Sequence, residues 1–352
     1  MLTARDAAPA RGGPPAPAAA RRGTARRLLV VAVGVALCAA LSALSLFVGS
    51  GDLSPSESWN ALNGVGTAAD VVIVRDYRVP RTLLAVTTGA ALGTAGAVIQ
   101  AITRNPLADP GILGVNAGAF LAVAVGAAFF GATGTSGQVW WALGGALATS
   151  VAVYLVGTSG RQGGNPVQMV LAGVAVGAVF SGFSHGITLM TPEVFDRIRF
   201  WSAGSLQGRQ TDVLWGVLPF VAAGLLIAVA LTRSFNTLAL GDDLARSLGG
   251  RVVLVRGAGF LSVTLLCGAA TAAVGPVSFL GLMVPHAVRM VVGPDQRWVV
   301  PLSLLAAPVV FLSADILGRV VTAGELPVGI VTAFLGAPVL VWLVRRKEVK
   351  PL

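Results

Sequence analysis

Charged residues are scarce in this sequence. Of its 352 residues only 11% are Asp, Glu, Lys or Arg, whereas 55% are hydrophobic, and the mean hydropathy is +0.80. A soluble protein of this size keeps roughly a quarter of its residues charged. The composition therefore excludes an ordinary soluble domain, because most of the surface must face a medium other than water, and lipid is the solvent that fits.

Cysteine and histidine are almost missing. Cys38 and Cys267 both lie inside apolar stretches, which excludes a disulfide framework. His185 and His286 are 101 positions apart and form no metal-ligand motif. With Asp315 near a helix end, these histidines are the only titratable residues expected within the membrane. The sequence thus has no chain of carboxylates or histidines of the kind that proton- or sodium-coupled carriers need.

Lysine occurs only at Lys347 and Lys350, in the C-terminal tail. A phosphate-binding loop ending in Gly-Lys-Ser/Thr therefore cannot exist here, which excludes ATP hydrolysis by that route. Energy for transport must then come from a partner, or the protein is a passive channel. The net charge of +10 does not indicate nucleic-acid binding, because the basic residues lie in short loops and at both ends, as topology signals do.

Long charge-free runs are what the sequence has instead. Arg27 and Asp52 are separated by 24 uncharged residues, Arg81 and Arg104 by 22, and the run after Asp109 has 51. A helical crossing needs about 20 residues, and in lipid the backbone must satisfy its own hydrogen bonds. The prediction is an all-α integral membrane protein with about ten transmembrane helices. The predicted spans are 28–49, 82–102, 111–131, 138–157, 167–190, 213–232, 257–274, 276–292, 298–317 and 327–344.

Basic residues favour ten spans and cytoplasmic N- and C-termini. With that topology 18 of the 25 Lys and Arg lie inside and 7 outside, whereas fusing 257–274 with 276–292 gives 13 and 12 and removes the positive-inside bias. The Ala-, Pro-, Gly- and Arg-rich residues 1–27 are predicted to be a disordered cytoplasmic tail. The membrane domain is predicted over 28–345, and residues 346–352 form a cytoplasmic C-terminal tail.

A weak internal repeat indicates two related halves, spans 2–5 and 7–10. Residues 89–98 and 268–277 are identical at five of ten positions, and similar motifs follow at 112–115 and 279–282. An odd number of spans separates the two copies, so the repeat would be inverted, as is common in transporters. Sequence rich in Ala, Gly and Val could also produce such an alignment by composition alone.

Five motifs follow one another after residue 70. They are Arg78-Val-Pro-Arg-Thr-Leu-Leu84, Gln100-Ala-Ile-Thr-Arg-Asn-Pro-Leu-Ala-Asp-Pro-Gly-Ile-Leu-Gly-Val115, Leu240-Gly-Asp-Asp-Leu-Ala-Arg-Ser-Leu-Gly249, Phe279-Leu-Gly-Leu-Met-Val-Pro-His-Ala-Val-Arg289 and Glu325-Leu-Pro-Val-Gly-Ile-Val-Thr-Ala-Phe-Leu-Gly-Ala-Pro338. These motifs resemble the FecCD family, the ten-helix permeases of bacterial ABC importers for iron–siderophores, haem and vitamin B12. The resemblance covers nearly everything after residue 70, in order and at the family's spacing.

On the outer side the resemblance implies that Arg78, Arg81 and Arg319 form docking pockets for acidic residues of a substrate-binding protein. These arginines fall outside against the positive-inside trend, and the planar guanidinium can bind a carboxylate through two hydrogen bonds. The alternative is that they anchor helix ends at the headgroups. Residues 190–210, with Glu193, Asp196, Arg197, Arg199 and Trp201, are predicted to form an interfacial helix that helps to gate the outer mouth.

On the inner side the loop 233–256 is predicted to couple to the ATPase. Acids at its first turn and Gly at its end predict a short helix, which in the family lies in a groove of the ATPase subunit; an ordinary amphipathic loop helix is the alternative. The implied coupling residues are Gly241, Asp242, Asp243, Leu244, Ala245, Ser247, Leu248 and Gly249. Asn105 and Leu107 are implied in a cytoplasmic gate, with the turn 163–166 nearby.

The resulting prediction is a non-enzymatic transport subunit that works by alternating access in the bacterial cytoplasmic membrane. Its expected partners are ABC ATPase subunits, an extracytoplasmic substrate-binding protein and a second permease, identical or paralogous. This chain is expected to bind no cofactor or metal, with ATP and Mg held by the ATPases. The cargo is expected to be an iron–siderophore, with haem and cobalamin open. A secondary carrier and a non-transporting membrane scaffold or receptor are the rival hypotheses.

Overall fold

The computed structural model describes residues 17–49, 53–132, 134–159, 166–322 and 324–345. Within these ranges all regular structure is helical, in fifteen α-helices. They are α1 (Pro17–Phe47), α2 (Pro55–Leu62), α3 (Ala68–Val72), α4 (Val79–Thr103), α5 (Val115–Phe129), α6 (Thr135–Thr158), α7 (Pro166–Met190), α8 (Pro192–Ser202), α9 (Thr211–Ala230), α10 (Thr232–Ala239), α11 (Asp242–Ser247), α12 (Val252–Val274), α13 (Leu280–Val292), α14 (Gln296–Val321) and α15 (Val328–Arg345). A π-helical segment (Ile73–Arg78) leads into α4, and a 3-10 turn (Pro110–Leu113) precedes α5.

The helices agree in type and position with the predicted membrane spans. Seven of the described helices are long and apolar enough to cross a bilayer, and α5, α13 and α15 are shorter apolar helices. Together these ten coincide with the ten predicted spans, so the all-α membrane fold is confirmed. The number of crossings and the cytoplasmic side of both termini stay predictions.

The start of α1 corrects one predicted boundary. The helix begins at Pro17, so residues 17–27, predicted as part of a disordered tail, are helical. Ala and Arg are among the strongest helix formers, and here they extend the apolar helix that follows. The rest of that tail, the C-terminal residues 346–352 and most of the turn 163–166 lie outside the described residues.

The predicted break at Gly275–Pro276 is confirmed. Helix α12 ends at Val274 and α13 begins at Leu280, with a non-helical stretch between them. Gly275 has φ +86°, and a Cβ there would lie 1.8 Å from the carbonyl oxygen of Trp201, so only glycine fits. The first copy of the predicted repeat lies wholly inside α4, whereas the second runs across the end of α12.

Helix α4 is the centre of the bundle. In its apolar stretch of 18 residues, 83% of the residues are buried within the protein, whereas only 6% are buried in the corresponding stretch of α1. Small residues let its neighbours approach: a Cβ on Gly96 would lie 1.8 Å from the carbonyl oxygen of Gly281 in α13, and one on Gly93 would lie 2.4 Å from the Cβ of Ala307 in α14. The two ends of this buried helix carry Arg81 and Arg104.

Candidate functional site

The end of α4 that is predicted to face outward carries Arg81 in its first turn, bound to two acidic side chains. The Nε of Arg81 donates to both carboxylate oxygens of Asp315, at 3.1 and 3.2 Å, and Nη2 donates to Oδ1 at 2.9 Å. Its Nη1 donates to Glu325 Oε2 at 2.8 Å. Asp315 belongs to α14, and its side chain is 1% exposed. Arg81 therefore joins α4 to α14 and to the loop before α15.

Arg319, one turn after Asp315 on α14, belongs to the same network. Its Nη2 lies 2.8 Å from Asp315 Oδ2 and donates to Ser45 Oγ at 2.7 Å. Its Nη1 donates to the carbonyl oxygens of Ser45 and Val48 at the end of α1. Asp315 is thus shared by two arginines, and both guanidinium groups pair with a carboxylate, although the buried Nε of Arg319 has no hydrogen-bond partner among the described residues.

Arg78 differs from the other two arginines. Its Nη1 donates to the carbonyl oxygen of Leu46 at 3.0 Å and to Ser58 Oγ at 3.1 Å. Among the described residues it makes no ion pair, and its buried Nε and Nη2 have no hydrogen-bond partner. Gly49 leaves room for it, because a Cβ there would lie 2.9 Å from Arg78 Nε. The π-helical segment that ends at Arg78 is of a kind that often marks functional positions.

The three arginines meet at one cavity of about 440 Å³, called the outer cavity here because it lies at the end of α4 that is predicted to face outward. Its polar lining comes from Tyr77, Arg78, Arg81, Gln207, Arg319 and Glu325. Three guanidinium groups face two carboxylates, Asp315 and Glu325, so the cluster carries one unbalanced positive charge. A buried cation of this kind is costly unless an anion pairs with it.

The predicted interfacial helix on the outer side is present as α8. Val194, Ile198 and Trp201 are buried, and the Trp201 ring stacks on Phe120 with centroids 6.2 Å apart. Asp196 and Arg199 lie on the exposed face as an ion pair at 3.2 Å. The amphipathic helix is confirmed, and its role in gating stays a prediction.

The predicted coupling segment on the inner side forms α11. It starts after Gly241 (φ +100°) and is followed by Gly249 (φ +80°), so glycines in the left-handed region delimit it. Asp242 at its first position accepts two hydrogen bonds of 2.8 Å from Arg256 of α12. It also pairs with Arg104 at 3.3 Å. Because Arg104 ends α4 and directly precedes Asn105, this aspartate links the coupling segment to the predicted gate.

The outward face of α11 mixes two exposed leucines with polar and charged residues, among them Arg246. Leu244 and Leu248 are 49% and 63% exposed, and Asp243, Ser247 and Gly249 are exposed beside them. Ala245 is the exception among the predicted coupling residues, because it is 1% exposed and its carbonyl oxygen accepts from Gly250 N at 2.8 Å. The buried Ala245 side chain is therefore not accessible to a partner in this conformation. It packs between α11 and the loop that follows it.

The predicted gate forms a tight turn. Asn105 is exposed, and its Oδ1 accepts from Leu107 N at 2.9 Å, which closes a side-chain turn over the half-buried Leu107. The buried Gln100 holds the loop to α13: its Nε2 donates to the carbonyl oxygens of Ala108 at 3.2 Å and of Gly281 at 3.3 Å.

Several residues of these sites were not predicted from the sequence. Asp315 was noted as a lone carboxylate, but its pairing with Arg81 joins residues 234 positions apart. Its spacing of four from Arg319 on one helix was the available signal. No local pattern indicates that Arg104 and Arg256 converge on Asp242, because they lie in different helices.

Comparison with known proteins gives concordant results. The model of the FecCD transport family matches residues 37–346. The chain is 50% identical over 307 residues to the ferric enterobactin transport system permease protein FepD of Escherichia coli K12, covering 87% of this chain and 92% of that protein. It is 40% identical over 291 residues to the probable siderophore transport system permease protein YfiZ of Bacillus subtilis 168, covering 82% and 86%. A solved metal-chelate type ABC transporter in an inward-facing conformation superposes with a TM-score of 0.78 at 26% identity, covering 91% of this chain and 99% of that one.

Proposed function

This chain belongs to the FecCD transport family and is a multi-pass permease subunit of an ABC importer for iron–siderophores or related chelates, and from this premise we propose how it works. A loaded binding protein docks at the outer arginine cavity. Two partner ATPases act on α11 from inside, and two permease subunits open the pathway to one side at a time. The chain itself carries out no covalent chemistry.

The position of Asp242 is the observation that carries this proposal. The residue opens α11 and bonds to Arg256 at the start of α12 and to Arg104 at the end of α4. A push on α11 from a partner would therefore reach the gate turn at Asn105 and the buried α4 through side chains that are already in contact. A secondary carrier has no need of such a link between an exposed loop helix and the core helix.

The exposed face of α11 supports contact with a separate protein. Leu244 and Leu248 project beside Ser247 from a short helix, and exposed leucines of this kind fit a groove on a partner. ATP and Mg²⁺ are assigned to that partner, since the only lysines of the sequence lie at its C-terminal end, outside any phosphate-binding loop. We propose no cofactor or metal for this chain.

The outer cavity supports docking of an acidic partner, with Arg78 as the principal contact. Arg81 and Arg319 pair with Asp315 and Glu325, and only Nε of Arg319 lacks a partner there, whereas Arg78 makes no ion pair among the described residues and has two guanidinium nitrogens without partners. A carboxylate entering the cavity would satisfy both nitrogens in the two-bond geometry that arginine favours. Arg81 and Arg319 would then contribute to the positive electrostatic potential and the shape of the cavity. They would contact the partner directly only if Asp315 and Glu325 moved away.

The proposed cargo is an iron–siderophore. The FepD relative, named for ferric enterobactin, is 50% identical over most of both chains. A cobalamin import permease is also similar, at 36% identity, so other chelates belong in the same screen. The second permease of the proposed dimer is either a copy of this chain or a paralogue.

The test is chelate uptake and ATP hydrolysis in proteoliposomes that hold this chain with its co-purifying subunits. Arg78→Glu is expected to abolish uptake stimulated by binding protein, and Arg75→Glu is its matched control, because Arg75 is an exposed outer arginine away from the cavity. Leu248→Arg is expected to abolish ATP-driven uptake, with Leu248→Ala as the milder control. Uptake by this chain alone, driven by a proton or sodium gradient, would contradict the proposal.

A further inference from the structure

A surface groove runs between α1, α13 and α14. It has a volume of about 300 Å³ and is lined only by apolar residues. Val30, Gly34 and Leu37 line it from α1, Val288 and Val292 from α13, and Leu302 from α14. Val33, Leu37 and Val291 in its wall are 44–49% exposed, so the groove lies on the surface of the described bundle.

The groove has one charged end. Arg27 lies one turn before Val30 and Arg26 lies four residues before it, so helical periodicity places both on the groove face of α1. The guanidinium carbon of Arg27 lies 5.3 Å from the ring centroid of Trp298, which is one turn before Leu302 on α14. This contact holds a cation over an aromatic ring at the end of the apolar groove.

The surroundings of this end are basic. Arg297, next to Trp298, is exposed at the same level. The nearest acid in the sequence, Asp295, is engaged elsewhere: its Oδ1 accepts from Asn236 Nδ2 at 2.6 Å and from Arg297 N at 3.0 Å, where it caps α14. No ion pair of the described residues includes Arg26 or Arg27. Their charges are therefore available to an external anion.

We propose that this groove is a binding site for an anionic phospholipid. Acyl chains fill the apolar groove between α1, α13 and α14, and the phosphate pairs with Arg26 and Arg27 beside Trp298. Tryptophan and arginine at the end of a membrane helix suit the headgroup level, and basic pockets between transmembrane helices bind anionic headgroups. The lipid would stabilise the packing of α1, the least buried of the candidate spans, against the bundle.

The test is native mass spectrometry of the assembled transporter with phosphatidylglycerol or phosphatidylethanolamine of identical acyl chains. The wild-type permease is expected to retain phosphatidylglycerol selectively. The double variant Arg26→Gln/Arg27→Gln is expected to lose that retention by about fivefold for each charge removed. Arg345→Gln, at the end of α15 and outside the groove, is the control for loss of a basic residue.

A second pair of variants tests the apolar part. An added Cβ on Gly34 would make only ordinary contact, 3.9 Å from Leu305 Cβ, so Gly34→Ala fits while the longer side chain of Gly34→Leu enters the groove. Gly34→Leu is expected to displace the lipid and Gly34→Ala to retain it. Equal retention of both lipids by the wild type, or no loss of phosphatidylglycerol in the double arginine variant, overturns the proposal. A groove without bound lipid in the assembled transporter also overturns the proposal. None of these outcomes depends on the cargo or on docking.

Discussion

The two ends of α4 hold their arginines in contrasting ways. At the outer end Arg81 and its partner Asp315 are 13% and 1% exposed, and Arg319 and Glu325 complete the buried network. At the inner end Arg104 and Asp242 are 37% and 24% exposed and lie 3.3 Å apart. Breaking a buried ion pair is costly, whereas an exposed pair contributes little to stability. We therefore expect the network around Arg81 to be rigid and the pair of Arg104 and Asp242 to shift at little cost.

The largest effect is expected from Asp315→Asn. The substitution leaves the buried Arg81 and Arg319 with Glu325 as their remaining carboxylate, and loss of one partner of a buried pair costs about 3–5 kcal/mol. We expect a marked fall in the thermal unfolding temperature of the purified protein in detergent. Asp196→Asn, which breaks the exposed pair with Arg199, is the matched control and should change it little. An unchanged unfolding temperature in Asp315→Asn would show that the buried ion-pair network around Arg81 does not hold this end of α4 rigidly.

A smaller effect is expected from Arg256→Gln at the inner end. Arg256 makes two hydrogen bonds of 2.8 Å to Asp242, and hydrogen bonds to charged groups contribute about 1.5–3 kcal/mol. The partial exposure of Asp242 places the expected loss of stability near the lower figure, about 1.5 kcal/mol. Chemical unfolding of the two variants side by side would check the order, and a loss as large as that of Asp315→Asn would contradict the contrast.

Asp109 differs from Asp315 and Asp242, because it forms no ion pair among the described residues. Burial raises the pKa of its carboxyl, against hydrogen bonds from the backbone of Gly111 and Phe279 that lower the pKa. A raised folded-state pKa means that the ionised form destabilises the fold, so stability is lost as pH rises above the unfolded pKa. Asp109→Asn keeps an oxygen that accepts from Gly111 N, at 2.8 Å in the wild type.

We therefore expect Asp109→Asn to be as stable as the wild type or more stable at pH 8, and to lose this advantage as the pH falls through the acidic range. Thermal unfolding measured across that range tests the sign. A variant that is clearly less stable at pH 8 would show that the ionised carboxylate stabilises the loop.

The smallest effect is expected from Arg246→Gln. Arg246 is exposed and pairs with Asp243 at 3.3 Å and with Asp242 at 4.0 Å within one helix. Exposed pairs of this kind contribute about 0.5 kcal/mol or less. The same unfolding assay should show almost no difference in stability between this variant and the wild type. A loss of stability comparable with that of Arg256→Gln would contradict the inference that the exposed charges around Asp242 contribute little to stability.

The sequence was sufficient to locate the apolar helices because the membrane imposes simple rules. Charge-free runs located the ten apolar helices, and the distribution of arginines separated α12 from α13 at Gly275. Composition misplaced the start of α1, since an Ala- and Arg-rich stretch is compatible with either a tail or a helix. Motif spacing found Arg81 and Asp242 as separate features. Their partners could not be predicted, because Asp315 and Arg104 reach them only through packing of distant helices.

We propose that Asp242 transmits the movement of α11 to the gate turn through Arg104. The most direct test is the number of chelate molecules taken up per ATP hydrolysed in proteoliposomes that contain the Arg104→Gln permease. We predict that ATP hydrolysis persists while uptake per ATP falls by about tenfold, within the usual range of coupling free energies of about 1–3 kcal/mol. Uptake per ATP equal to that of the wild type would contradict the account.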